Sequence, residues 1–231
     1  MLRRFEIYTL AAGVSAEDTA RLADVFRHAG RYIPELEHSV VGMNLSPASV
    51  DLVWEHSYAS PEAYQRYMVH PYHANVLDRY LLNDSPERLV TDSPLGDGVL
   101  VGYACDEPAF VMNDGVRKVV LLGLDGHAER GAELVANLRR LPDTVPGAVL
   151  SVVEPNTMGV AWFDGVNAIL PPSAWTHVWE LGFESLEAYD AYQAGDSEPA
   201  VAERHNWRAE LSDVVTQAVE LHYHVRSGAA A

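Results

Sequence analysis

Arg4, Glu6 and Tyr8 stand at alternate positions near the start of the chain, in a run from Arg4 to Leu10 that reads as a short strand. Strand side chains alternate between faces, so these three share one side while Phe5, Ile7 and Thr9 share the other. A run from Val50 to Tyr58 carries Leu52, Trp54 and His56 in the same rhythm, and Tyr67 and His73 lie in the helical stretch after it. These residue types permit general acid–base catalysis. A histidine near its natural pKa can take a proton next to a carbonyl, and a tyrosine or arginine can stabilise the enolate that results. A glutamate two places from an arginine is an unusual choice for a strand that only builds a core, because buried charge is costly unless paired. Each residue also has a plainer reading. Tyr67 could be a core aromatic, His73 a helix cap, Arg4 and Glu6 a rim ion pair, and His56 a solvent-facing residue if the register slips by one.

The elements that must position these groups occur twice. At an offset of 125, Val53-Trp54-Glu55 meets Val178-Trp179-Glu180, and Ser60, Glu62, Ala63, Tyr64 and Tyr67 meet Ser185, Glu187, Ala188, Tyr189 and Tyr192. At an offset of 112, Pro34 meets Pro146, and Ser39-Val40-Val41 meets Ser151-Val152-Val153. The change of offset places an insertion around Met158 to Ser173, where Asp164-Gly165 and Pro171-Pro172 predict a longer hairpin. In each copy the spacing predicts strand, helix, two strands, helix, strand. In the first, Ser15 caps a helix with Leu22, Phe26, Ala29 and Ile33 on one face, strands follow at 37–45 and 50–58, and Ser60-Pro61-Glu62 opens the second helix. Ala74 to Leu82 continues as helix and leads to a last strand near Arg88 to Asp92. The second copy's strands are expected near 117–124, 148–154, 174–182 and 219–225, with Leu134, Leu138 and Leu141 on its first helix.

The order βαββαβ is the ferredoxin-like unit, whose helices cover one sheet face and leave the other needing a partner. The expected class is therefore α+β, with two ferredoxin-like repeats fused into a pseudo-dimeric α+β barrel. The Gly-, Pro- and Asp-rich stretch from about Ser93 to Gly115 reads as connecting sequence, with the linker at 105–115 between a first repeat at 1–104 and a second at 116–231.

Bulk properties exclude several functions. A net charge of −17 disfavours nucleic acid and anionic membranes as partners. No apolar run approaches a membrane span, and Glu6 interrupts the N-terminal run too early for a signal peptide. The single cysteine, Cys105, excludes an internal disulfide and a cysteine-built zinc site, and the expected address is cytoplasmic. His222 and His224 alternate on the last strand without an evident third metal ligand. His70 and His73 with Glu6 make a somewhat better set, but no metal and no cofactor is expected. The expected partner is a small molecule, and a homodimer of the fused unit remains open to the chain.

Trp54-Glu55-His56-Ser57-Tyr58, Ser60 to Tyr67 and His70-Pro71-Tyr72-His73 resemble the stress-responsive A/B-barrel (Dabb) family of dimeric α+β barrels. The second copy keeps Trp179 to Ser185 but has Gly195-Asp196-Ser197-Glu198 where the first has His-Pro-x-His. The family includes a plant polyketide cyclase, olivetolic acid cyclase, and a hydroxynitrile lyase. The resemblance implies that Arg4, Glu6, Tyr8, His56, Tyr67 and His73 gather around one cavity with Trp54 as its apolar wall. The cyclase's helix-two tyrosine and final histidine fall on Tyr67 and His73, and its two strand histidines on Arg4 and Leu52. In the second copy the four positions read Lys118, His177, Tyr192 and Glu198. His73 is then expected as base, Tyr67 as its orienting or donating partner, Arg4 as oxyanion stabiliser, and Glu6 and His56 as further acid–base groups. Tyr8, Trp54 and Leu52, with His177, Trp179 and Tyr192 of the second copy, are expected to bind substrate. The expected function is a cofactor-independent cyclase, lyase or isomerase of secondary metabolism, acting on a small, partly hydrophobic carbonyl compound. A binding protein of the stress response and a cofactor-free oxygenase are the alternatives.

Overall fold

The computed structural model describes residues 1–82, 84–91, 99–105, 112, 114–125, 128–157, 160–163, 166–169, 175–195 and 214–226. The order of its main elements is β1 (Leu2–Leu10), α1 (Ala16–Arg27), β2 (Leu36–Met43), β3 (Leu52–Tyr58), α2 (Pro61–Met68), α3 (Asp78–Leu81), β4 (Val90–Thr91), β5 (Val99–Ala104), β6 (Asp114–Leu124), α4 (Ala128–Arg139), β7 (Ala148–Pro155), β8 (Val160–Phe163), β9 (Val166–Ile169), β10 (His177–Phe183), α5 (Leu186–Ala194) and β11 (Val215–Arg226). No described helix is long and apolar enough to cross a membrane.

The chain divides into two compact units, 1–111 with 157–172 and 226–231, and 112–156 with 173–225. In the first, the sheet order is β2-β3-β1, with β4 and β5 both antiparallel to the free side of β1. β4 pairs with Thr9 and Leu10, and β5 with Leu2 to Ile7. The fourth strand of this repeat is thus in two pieces. Its second piece lies inside the stretch read from sequence as connecting chain, where Val99-Leu100-Val101 supplies β-prone residues. The second unit has the order β11-β6-β10-β7, with an unbroken fourth strand. Both are the antiparallel ferredoxin-like sheet predicted from the repeat.

The predicted caps are in place. The Ser15 hydroxyl accepts from the Asp18 N–H, and Ser60 and Ser185 cap α2 and α5 through the N–H groups of Ala63 and Ala188. Capping of this kind is worth about 1 kcal/mol per helix. In the second unit α5 packs so closely that Gly147, at φ 74°, has no room for a side chain: a Cβ would stand 2.4 Å from that of Ala188.

The inserted stretch forms the antiparallel hairpin β8–β9 and belongs to the first unit. Thr157 ties it there by donating its N–H to the Gly102 carbonyl at 2.8 Å, and β8 contacts α2. The expected turn residues Asp164-Gly165 and Pro171-Pro172, and Glu198, lie outside the described residues.

Candidate functional site

β1 pairs with β3 so that Arg4 faces His56, Glu6 faces Trp54 and Tyr8 faces Leu52. This register stacks the polar stripe of one strand against the aromatic stripe of the next, on the side covered by α1 and α2. All six residues are buried. Glu6 is the hub. Its Oε1 takes the Arg4 guanidinium at 3.1 Å and the His56 Nε2–H at 3.1 Å, and its Oε2 accepts from the Tyr8 hydroxyl. Arg4 also donates through Nη1 to the Tyr64 hydroxyl at 3.0 Å. On the far side of the imidazole, the Tyr58 hydroxyl donates to His56 Nδ1 at 2.7 Å.

Burial alone would raise the Glu6 pKa, but the Arg4 charge and the His56 hydrogen bond outweigh it and bring the carboxyl down to about 2. Burial likewise opposes the charge on Arg4, and Glu6 reverses that, raising the guanidinium pKa. For His56 burial wins over the hydrogen bond to Glu6, and its pKa falls to about 4. Burial also pushes the Tyr8, Tyr58 and Tyr67 phenols well above their usual range. At neutral pH the network therefore holds one ionised pair, Arg4 and Glu6, among neutral rings. His56 carries its proton on Nε2, because the ionised Glu6 carboxylate can only accept, and the Tyr58 phenol therefore donates to Nδ1.

The helical layer completes the cluster. Tyr64 and Tyr67, three apart on α2, turn toward the sheet. After His70-Pro71-Tyr72 the chain makes a π-helical turn over His73–Leu77, with the Asp78 N–H donating to the His73 carbonyl. Such turns insert one residue into a helix. Here the insertion brings the Asp78 carboxylate back to within 3.6 Å of His73 Nδ1. The His73 and Tyr67 rings meet edge to face, with centroids 4.5 Å apart. Burial, opposed in part by Glu6, lowers the His73 pKa to about 4, while burial and then Glu6 raise Asp78 to about 6. Three buried polar atoms of this cluster make no hydrogen bond: Tyr67 Oη, His73 Nδ1 and Arg4 Nε. Leaving such atoms unpaired costs about 1–3 kcal/mol each, so their grouping marks a place suited to a polar ligand.

Trp54, expected as an apolar wall, is fully buried in the core of the first unit. It stacks on Phe26 at 4.5 Å and on His56 at 4.3 Å, with its indole N–H on Ser39. Leu52 is fully buried in the same core. His70 accepts the Tyr72 N–H on Nδ1, so that nitrogen caps the turn. Among the described residues no three His, Cys, Asp or Glu side chains are grouped to hold a metal. In the second unit Lys118 takes the place of Arg4, donating to Tyr192 at 2.8 Å, with Glu220 at 3.4 Å and the Trp179 ring at 4.9 Å. His177 lies apart from that group, half-buried at the start of β10 beside Thr176. Its pKa is lowered by burial.

Three residues of the first cluster were not singled out from sequence. Tyr58 could have been, since it continues the alternation of Trp54 and His56. Tyr64 could have been too, one helical turn before Tyr67. Asp78 carried no signal, because only the π turn brings it to His73.

Residues 2–94 match the family described as the Stress responsive A/B Barrel Domain. No curated protein matches the chain. Among solved structures, an anthrone oxidase-like protein is similar at TM-score 0.61 and 15% identity, covering 100% of this chain and 96% of its own. A candidate monooxygenase from Fusobacterium nucleatum is similar at 0.60 and 7% identity, covering 97% and 91%. Chlorite dismutase from Candidatus Nitrospira defluvii is similar at 0.54 and 10% identity, covering 97% and 90%. Identities this low establish a shared fold.

Proposed function

We propose an acid–base enzyme that moves a proton on a small, partly hydrophobic carbonyl compound, on a fold whose residues 2–94 match the Stress responsive A/B Barrel Domain. One observation carries the reading: the unsatisfied atoms of Tyr67, His73 and Arg4, buried together under α2. His73 is neutral at physiological pH, and with its pKa lowered to about 4, below the ordinary histidine value expected from sequence, it is a weak base. It depends on Asp78 to stabilise its imidazolium as it takes a proton from carbon next to the carbonyl. The imidazolium so formed meets the Asp78 carboxylate, and the negative charge moves to the substrate oxygen. The Tyr67 hydroxyl and Arg4 Nε–H donate to that oxygen and stabilise it as it charges. Glu6, His56, Tyr58 and Tyr8 do not touch the substrate in this scheme. They fix Arg4 and its orientation, since every hydrogen-bonding atom that His56 offers is already used. Return of the proton to a different atom gives isomerisation, attack of the enolate on a second carbonyl gives cyclisation, and expulsion of a carbon leaving group runs the lyase direction.

Exchange of substrate C–H for deuterium in D2O, followed by NMR across a panel of enolisable ketones, reads the shared first step without knowledge of the product. His73→Asn and Tyr67→Phe should each slow exchange by about 10²-fold or more while changing ligand affinity little. Exchange that survives His73→Asn removes the proposed base. Affinity changes with no exchange in the wild type support a binding protein instead.

The likeness to proteins named as an oxidase and a monooxygenase favours one further reading. A deprotonated substrate in this site could react with dioxygen directly. Oxygen uptake that requires His73 and an enolisable substrate separates this route from the others.

A further inference from the structure

The first repeat's cluster has a charge balance set by its contacts, and that balance bears on which molecules the site admits. This charge preference rests on the proton-transfer reading above. Among the described residues the cluster's cation is Arg4, and its charge is matched by Glu6 at 3.1 Å. Its Nη1 is used by Tyr64, which leaves Nε–H as a donor with no surplus positive charge behind it. Asp78 stands 3.6 Å from His73 Nδ1, and above a pKa of about 6 it adds a second carboxylate. With both histidines neutral, the cluster carries one net negative charge at neutral pH.

The open atoms have a definite pattern. Arg4 Nε–H and Tyr67 Oη–H are donors, and His73 offers a ring nitrogen beside them. A ligand that presents an accepting oxygen and a proton to share, with an aromatic or alkyl body beside Tyr67 and His73, fits that pattern. A carboxylate of the same shape would bring a third negative charge to a place where the guanidinium is already spoken for. Carboxylates brought close together out of bulk water repel one another.

We infer that this site selects uncharged phenolic or enolisable ketones over carboxylates of the same shape, with Asp78 as the residue that sets the preference. Ortho-hydroxyacetophenone and salicylate make a matched pair, differing by a methyl group against a carboxylate oxygen. Titrated into the full chain at neutral pH, the ketone should bind at least about tenfold more tightly, and Asp78→Asn should narrow that ratio several-fold by improving salicylate. Salicylate binding as tightly as the ketone, or a ratio unmoved by Asp78→Asn, overturns the inference. Binding of neither overturns it as well, since it commits the site to aryl or enolisable ketones. Deuterium exchange is judged separately, so loss of the charge preference and loss of the proton-transfer reading give different results.

Discussion

Trp54 in the first repeat and Trp179 in the second are held in the same way. Each indole N–H donates to a serine, Ser39 or Ser151, and that hydroxyl donates to a carbonyl of the repeat's first helix, Phe26 or Leu138. The opposite sheet face is matched too, with buried ion pairs Arg3–Glu55 and Arg117–Glu180. What differs is the strand surface beside each tryptophan. Glu6, Tyr8, His56 and Tyr58 in the first repeat correspond to Val120, Leu122, Leu181 and Phe183 in the second. The second repeat folds to the same sheet order with an apolar version of that surface. The fold therefore does not require the polar network, although burying its charges is expensive. The second repeat keeps a cation at the Arg4 position, Lys118 beside Tyr192 and Glu220, and lacks the Glu6, Tyr8, His56 and Tyr58 part of the network.

The sharpest way to break this comparison is to move the second repeat's solution into the first. Glu6→Val alone strands Arg4, His56 and Tyr8 without their acceptor and should cost about 3–5 kcal/mol in urea unfolding. Combining Glu6→Val, Tyr8→Leu, His56→Leu and Tyr58→Phe, as in the second repeat, with Arg4→Met, which departs from its Lys118 so that no unpaired cation is left, replaces the whole network by apolar groups. That variant should return to within about 2 kcal/mol of wild type, with deuterium exchange still lost. If the combined variant is no more stable than Glu6→Val, the network is structural and the two repeats are not comparable.

Acid sensitivity should separate the same proteins next. His56 and His73 fall from an ordinary 6.5 to about 4 in the fold, so between those values the unfolded chain binds more protons and stability drops as pH falls. Glu6, lowered from 4.5 to about 2, continues the loss below pH 4.5. Asp78, raised from 3.8 to about 6, works in the opposite sense, because its folded form holds the extra proton there. The wild type should lose on the order of 2–3 kcal/mol between pH 6.5 and 4. The combined variant lacks both His56 and Glu6, which leaves the opposed shifts of His73 and Asp78. It should therefore lose only a small part of that, and equal slopes would show that His56 is not held neutral.

Much of the first repeat's architecture was legible because its signals are local. The duplicated Trp-Glu, the serine caps and the alternation of Arg4, Glu6 and Tyr8 each depend on a few neighbouring residues. Two features were not legible because they depend on long-range geometry. β5 finds its place only along the edge of β1, and residues 99–104 look like connecting chain until that edge is known. Asp78 joins His73 through a π turn, a departure from helical spacing that no periodicity in Ala74 to Leu82 announces. Residue roles were harder still. Glu6 and His56 have the types of acid–base groups, yet their hydrogen bonds are filled by one another and by Tyr8, Tyr58 and Arg4. Sequence shows which groups can titrate but not which are already occupied.

A pair of reciprocal changes tests whether Tyr58 belongs to the network or to the core. Tyr58→Phe removes the hydroxyl from His56 Nδ1 and should destabilise by about 1–3 kcal/mol through an unsatisfied buried nitrogen. Phe183→Tyr places a hydroxyl two residues along the strand from Leu181, where no imidazole waits, and should cost a similar amount for the opposite reason. Making Leu181→His together with Phe183→Tyr should recover part of that loss, because the pair can bond as Tyr58 and His56 do. No recovery would mean that the carboxylate hub, which Val120 cannot supply, is needed even for the outer hydrogen bond.

The smallest effect concerns what the repeats share. Ser39→Ala and Ser151→Ala each leave a tryptophan N–H without its acceptor and free a helix carbonyl. Each should cost about 1–2 kcal/mol, and the two costs should agree within about 0.5 kcal/mol because the local geometry is the same. Agreement would show that the serine–tryptophan frame carries equal weight beside a charged surface and beside an apolar one. A larger cost at Ser39 would instead tie the frame to the polar network through Trp54, which stacks on His56 at 4.3 Å, whereas Leu181 stands at the matching position in the second repeat. Measuring Ser39→Ala in the combined apolar variant decides between them, since the excess should vanish there if the His56 stack is its source.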